Sequence, residues 1–217
     1  SLREFTIDFI KACKEKEIVV SYDSNFRAKL WSLEEAREVL EEVMPLIDIA
    51  FLGHLDMINI LKFEDRGLDY EDNLKDLYNR LFEKYPNLKY AACTKRTVNS
   101  INNNTLCGYL FDGENLTVSN EYTFDILDRV GGGDAFTAGV LHGIFKNMSN
   151  EEIIEFAICA SSLKHSILGD VNIIDEQTII SLMKNGPIHF TSWKNSLTVK
   201  LFPTMPLLTP KVNHYLK

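Results

Sequence analysis

Asp128-Arg129-Val130-Gly131-Gly132-Gly133-Asp134-Ala135-Phe136 decides how this chain is read. Three consecutive glycines meet an aspartate, and the apolar run Ala135, Phe136, Ala138, Val140, Leu141, Ile144, Phe145 follows, with Gly139 and Gly143 among it. This pattern predicts a glycine turn feeding a helix that is apolar nearly all round and therefore buried. Glycines leave backbone N–H groups uncovered and permit positive φ. The start of a helix adds amides without acceptors and a partial positive charge, so the stretch reads as an anion site suited to phosphate. Asp134 would repel a bound phosphate, and its position calls for a reason. General-base work on an attacking hydroxyl is one, with the glycine amides holding charge on a transferring phosphoryl group. A helix N-cap after a tight turn is the other.

Working outward, Tyr122–Leu127 leads into the turn, and Leu106–Phe111 and Leu116–Ser119 flank Asp112-Gly113, a hairpin signal. Tyr90–Thr94 reads as a buried strand, followed by Lys95-Arg96-Thr97 and an Asn-rich stretch. Downstream, Ser149-Asn150-Glu151-Glu152 is a capping box opening a helix to about Leu168, which Gly169-Asp170 ends; Glu176–Lys184 is a last short helix. Upstream, residues 2–16 carry apolar positions at helical spacing, and Ile18–Tyr22 reads as a buried strand. The strand ends in the polar cluster Asp23-Ser24-Asn25-Phe26-Arg27, placed where ligands bind in open α/β sheets. An ordinary polar loop is the plain alternative. Ser32-Leu33-Glu34-Glu35 caps a helix to about Met44, Asp48–Leu52 is a strand, Gly53 opens a short helix to Leu61, and 69–85 is amphipathic. This alternation of strand and helix over residues 1–94 predicts a parallel sheet covered by helices.

The chain has 217 residues, 45% of them hydrophobic, which suits one sizeable domain. A net charge of -8 argues against nucleic acid or an anionic membrane as partner. No apolar run approaches the roughly 20 residues that span a bilayer. Cys13, Cys93, Cys107 and Cys159 stand far apart among apolar residues, as reduced thiols of a cytoplasmic protein would. Neither GxxxxGK[ST] nor a GxGxxG at the first βα turn is present.

Asp128 to Gly139 resembles the C-terminal signature of the ribokinase-like (PfkB) sugar kinases. Arg129, the segment Asp23–Arg27 with Leu30-Trp31, and Leu163–Asn172 together resemble the 2-keto-3-deoxygluconate kinases of that family. The resemblance covers about residues 1–185; the tail 186–217, with four prolines and no period, is left unplaced. It implies an α/β, three-layer ribokinase-like fold with a mainly parallel central sheet flanked by helices. The N-terminal strands and the lid are expected to be missing, because the chain opens about a third of the way into the family pattern. An exposed sheet edge and exposed core should follow.

The implied activity is ATP-dependent phosphorylation of a sugar hydroxyl, with Mg2+ and a monovalent cation such as K+. Asp134 is then the base, with Gly131, Gly132 and Gly133 forming the anion hole. Arg27 would grip the sugar acid, and a guanidinium fork suits a carboxylate. Asp170 would touch substrate from the far side. Asn25 belongs near the nucleotide phosphates, Thr94, Lys95 and Arg96 along the nucleotide, and Asp128 at the monovalent-cation loop. The partners are the sugar or sugar acid and ATP, with a homo-oligomer expected for the full-length enzyme. One departure stands out: His54-Leu55-Asp56-Met57 replaces the family's Asn-x-x-Glu, which organises magnesium, leaving Asp56 as a partial substitute. A kinase for another sugar or a nucleoside, and a truncated nucleotide-binding relative without catalysis, are the competing readings.

Overall fold

The computed structural model describes residues 2–186. In chain order these form α1 (Leu2–Glu15), β1 (Ser21–Asp23), α2 (Leu33–Val43), β2 (Ile49–Phe51), α3 (His54–Asn59), α4 (Tyr70–Lys84) and β3 (Tyr90–Ser100). There follow β4 (Asn103–Phe111), β5 (Leu116–Val118), β6 (Tyr122–Asp125), α5 (Gly132–Phe145), α6 (Asn150–Lys164) and α7 (Glu176–Asn185). Residues 187–217, which make up all but the first residue of the unplaced tail, lie outside the described residues.

One sheet joins all six strands. β1, β2 and β3 pair in parallel, as helical crossovers require. β3 turns back into β4, and β4 is then shared: β5 pairs its last residues and β6 its first, all antiparallel. Side chains alternate across the sheet. Ala50, Leu52, Ala91 and Cys93 face a core with α1, α2 and α4, whereas Ile49, Phe51, Ala92 and Leu110 face α5, α6 and α7. The result is the three-layer α/β arrangement with a helical layer on either face.

Local sequence explains the elements. Ser32 and Ser149 close capping boxes with Glu35 and Glu152 at the starts of α2 and α6. Buried Asp48 ties three segments together, accepting from Lys14 Nζ at 2.7 Å and from the Val20 amide at 2.9 Å. Among the described residues no helix is long and apolar enough to cross a membrane. Cys93, Cys107 and Cys159 are buried free thiols, and Cys13 is half-buried.

Several expectations are corrected. The first strand begins only at Ser21, and Ile18 and Val19 are exposed rather than buried. Pairing with β2 starts at Ser21–Ile49, and β1 has no other partner among the described residues. Leu2, Phe5 and Phe9 of α1 also face outward, so the exposed edge and apolar surface expected at this end are observed. The strand read as Tyr90–Thr94 runs on to Ser100, because Lys95–Ser100 pair with β4 through backbone while their side chains stay exposed. α6 ends at Lys164 instead of Leu168, where the chain turns over the Lys164 side chain.

The tightest seam joins α5 to α6. A Cβ on Gly139 would fall 2.6 Å from Ala157 Cα, and one on Gly143 2.8 Å from Ile153 Cγ1. Backbone stands on the other side of Gly139 and cannot swing away. Gly139→Val should therefore destabilise the fold by about 1–3 kcal/mol or more through overpacking. Urea unfolding followed by circular dichroism measures this, and an unchanged midpoint would contradict the seam.

Candidate active site

A cleft of about 920 Å³ opens at the carboxyl ends of β1, β2 and β3, against the start of α5. This is where parallel α/β sheets place ligands, since the loops leaving each strand converge there. Gly131 caps α5 in the left-handed region at φ 78°. Only glycine suits the position: a Cβ there would meet the Asp170 carbonyl oxygen at 2.6 Å. Gly132 is backed by the His165 ring, 2.4 Å from where a Cβ would stand, and its carbonyl accepts from Ser161 Oγ. Gly133 meets nothing and looks into open space. The amides of Gly132, Gly133 and Asp134 find no acceptor among the described residues, as the first turn of a helix dictates. Gly131 and Gly133 line the cleft.

Asp134 lines it too, exposed, in the first turn of α5. The cap is Gly131, so the N-cap explanation of Asp134 does not hold. Asp23 and Asp56 bring two further carboxylates to the same space. Asp23 accepts from the Asn25 amide and from Thr137 Oγ1 on α5, both at 3.1 Å. Its pKa is raised, chiefly by burial, against those two hydrogen bonds and with the help of Asp134 and Asp56. Asp56 spends one oxygen on the Gly53 amide at 2.9 Å, closing the cap of α3.

Arg27, Asn25 and Thr94 line the cleft. Asn25 sits at φ 32°, a conformation asparagine tolerates better than most residues. Arg27 Nη1 donates to the Phe26 carbonyl at 3.1 Å and leaves the rest of its fork uncommitted. Lys95 and Arg96 are not among the lining residues: β3 carries them past the cleft, and Lys95 Nζ stands 4.3 Å over the Tyr70 ring. Asp170 does not line it either and approaches through its backbone at Gly131. Asp128 lies behind the turn, its oxygens accepting the Val130 and Gly169 amides at 3.1 and 2.8 Å. Those amides hold its carboxyl below the usual range.

Three polar lining residues that make contacts here were given no individual site role from sequence, although Asp23 belongs to the 23–27 cluster and Arg129 to the family resemblance. Asp23 and Thr137 form the link just described. Arg129 lines the cleft and donates to the Ile101 carbonyl at 2.8 Å. The Asp-x-Asn spacing after β1 was the available signal for Asp23; a partner on α5 is not legible from sequence.

Comparison with known proteins fits this geometry. The profile described as pfkB family carbohydrate kinase matches residues 1–174. The chain belongs to the pfkB family of carbohydrate kinases. Its pfkB fold is similar to a 2-dehydro-3-deoxygluconokinase from Thermotoga maritima, at TM-score 0.80 and 32% identity, covering 84% of this chain and 55% of that one. A pfkB carbohydrate kinase from Listeria grayi gives TM-score 0.78 and 39% identity, covering 84% and 55%. A 2-dehydro-3-deoxygluconokinase of Haemophilus influenzae is 28% identical over 155 residues, 69% of this chain and 43% of the relative. The chain thus spans about half the length of these pfkB relatives.

His165 underlies the pfkB glycine turn. Its Nδ1 lies 2.8 Å from the Ser161 carbonyl, and its ring packs on Phe124. Burial lowers its pKa from the ordinary 6.5, opposed by the Ser161 bond. The unfolded chain then binds more protons than the folded one in the interval below 6.5. This contribution to stability is full above that value and is lost as pH falls through the folded pKa. Thermal midpoints should drop from about pH 7.5 to about pH 5.5, and less steeply in His165→Gln. Equal slopes for the two proteins would exclude His165 as the source.

Proposed function

We propose that this pfkB core serves ATP-dependent phosphoryl transfer to a hydroxyl of a sugar acid, 2-keto-3-deoxygluconate, with Asp134 as general base. One observation carries the reading: a carboxylate with no hydrogen-bond partner among the described residues stands beside unpaired helix-start amides in one cleft. The names of the Thermotoga and Haemophilus relatives, and the sequence resemblance, support the choice of substrate.

In this mechanism the amides of Gly132, Gly133 and Asp134 receive phosphoryl oxygens, and the dipole of α5 favours their negative charge. Asp134 takes the proton of the sugar hydroxyl. The oxygen bonds to the γ-phosphorus as the bond to the β-phosphate bridging oxygen breaks, and ADP departs. Arg27 offers its fork to the sugar-acid carboxylate. Asn25 and Thr94 lie at the phosphate side, with Lys95 and Arg96 farther along the strand; Asp170 enters only through the carbonyl that shapes the turn.

The cleft is lined by Asp23, Asp56 and Asp134 against Arg27 and Arg129, so a polyphosphate does not enter it without compensation. Magnesium fits this donor set, because it travels with phosphates and takes one or two carboxylates rather than a protein cage. Asp23 and Asp56 are the residues that would hold it, directly or through its waters. When bound, it neutralises phosphate charge.

The test uses the protein that carries this chain. Asp134→Asn should lower kcat by at least about 100-fold, the scale of general-base catalysis, while nucleotide affinity by isothermal titration stays within a few-fold. Retained turnover would remove the base assignment, and nucleotide binding without turnover in the unaltered protein would leave a binding module. Arg27→Met should raise KM for 2-keto-3-deoxygluconate about tenfold or more while leaving ribose and fructose unaffected. Equal use of a neutral sugar by the unaltered protein would refute the sugar-acid substrate.

A further inference from the structure

We propose that the Lys164 ammonium is a built-in cation beneath the glycine turn, holding the same 167–170 turn that Asp128 grips, so that this core needs no potassium. The description of the turn as a nucleotide cup rests on the function proposed above. The cation claim rests on Lys164 and its acceptors.

Lys164 ends α6 with no solvent exposure. A buried charge must be paired and hydrogen-bonded to persist. Its Nζ donates to the Gly169 carbonyl at 2.6 Å and to the Ile167 carbonyl at 3.3 Å. Both belong to the turn that runs on to Asp170, whose carbonyl packs against Gly131. The lysine stem is part of the same contact: a Cβ on Gly131 would fall 3.2 Å from Lys164 Cε. Asp128 faces this turn from the glycine side, accepting the Gly169 amide. The ammonium thus links the end of α6, the 167–170 turn and the base of the cup.

A potassium ion is held by several carbonyl and carboxylate oxygens at once. Here two carbonyls of the turn that Asp128 grips, and both Asp128 carboxylate oxygens, already accept hydrogen bonds. The carbonyls of Ile167 and Gly169 accept from Lys164, and both Asp128 oxygens accept backbone amides. A second cation would have to displace a tethered one of equal charge from its acceptors. The residues do not fit a resident monovalent ion. Tethering changes the physics: the covalent cation has no dissociation equilibrium, so cup geometry and the positive potential under its amides do not vary with the salt present. Lys164 is a positioning residue, since it reaches substrate only through the turn.

The experiment measures thermal midpoints and the affinity for a non-hydrolysable ATP analogue in potassium, sodium and tetramethylammonium chlorides at equal ionic strength. The unaltered protein should give the same midpoint and affinity in all three. Lys164→Ala should lower the midpoint, and potassium should recover it while tetramethylammonium, a far bulkier cation, should not. Lys164→Met keeps the stem without the charge. It should fold and bind the analogue about tenfold more weakly in every salt. If Lys164→Ala does not fold, Lys164→Met decides. A saturable rise of midpoint or affinity specific to potassium in the unaltered protein overturns the proposal, as does unchanged affinity in Lys164→Met. Should no form bind the analogue, the nucleotide reading fails, and the salt dependence of the midpoint still decides the cation claim.

Discussion

The close contact between the glycine turn and the far end of α6 is the constraint on which the rest depends. Gly131 can lie on the Asp170 carbonyl, and Gly132 on the His165 ring, only because neither carries a side chain. That approach aims the first amides of α5 at the cleft. It also requires α5 and α6 to run almost backbone to backbone, which Gly139 and Gly143 allow. Small residues along both helices thus serve one geometric end. Most of α6 and the inner face of α5 are buried in one core, whereas Gly133, Asp134, Ala138 and Phe145 leave one side of α5 open.

The sheet supplies the other wall. Parallel order in β1, β2 and β3 brings three strand ends to one edge, and each delivers a polar group there: Asp23 and Asn25, Asp56 from the helix after β2, and Thr94. Strand ends and helix start meet across a space lined by three carboxylates, Asp23, Asp56 and Asp134, and two guanidinium groups, Arg27 and Arg129. The antiparallel half of the sheet gives nothing to the lining beyond β3 itself; it supports α6 from below through Tyr122, Phe124 and Leu110.

Much of this was legible in the sequence. The turn before α5, both serine capping boxes and the Asp112-Gly113 hairpin depend on local chemistry, and local chemistry is written in a few neighbouring residues. The outer half of β3 was not legible. Lys95–Ser100 show no apolar alternation because neither face is buried, and pairing there is a matter of backbone alone. The late start of β1 was hidden for the opposite reason: Ile18 and Val19 carry the composition of a covered strand without the cover. At the site, positions near the glycine stretch could be named, whereas the contact of Thr137 with Asp23 depends on how distant elements dock. Lys164 fell inside the helix read as running to about Leu168, and nothing in the neighbouring residues says that its side chain is buried.

Asp23 and Thr137 stand 114 residues apart in the chain yet share a hydrogen bond across the cleft. Closing so long a span is entropically costly and is offset only once the intervening layers are packed. Neither side of the cleft is therefore an autonomous module that could be transplanted. The cleft is thus a suture between early and late chain, held shut by a side-chain bond between segments that belong to neither core alone.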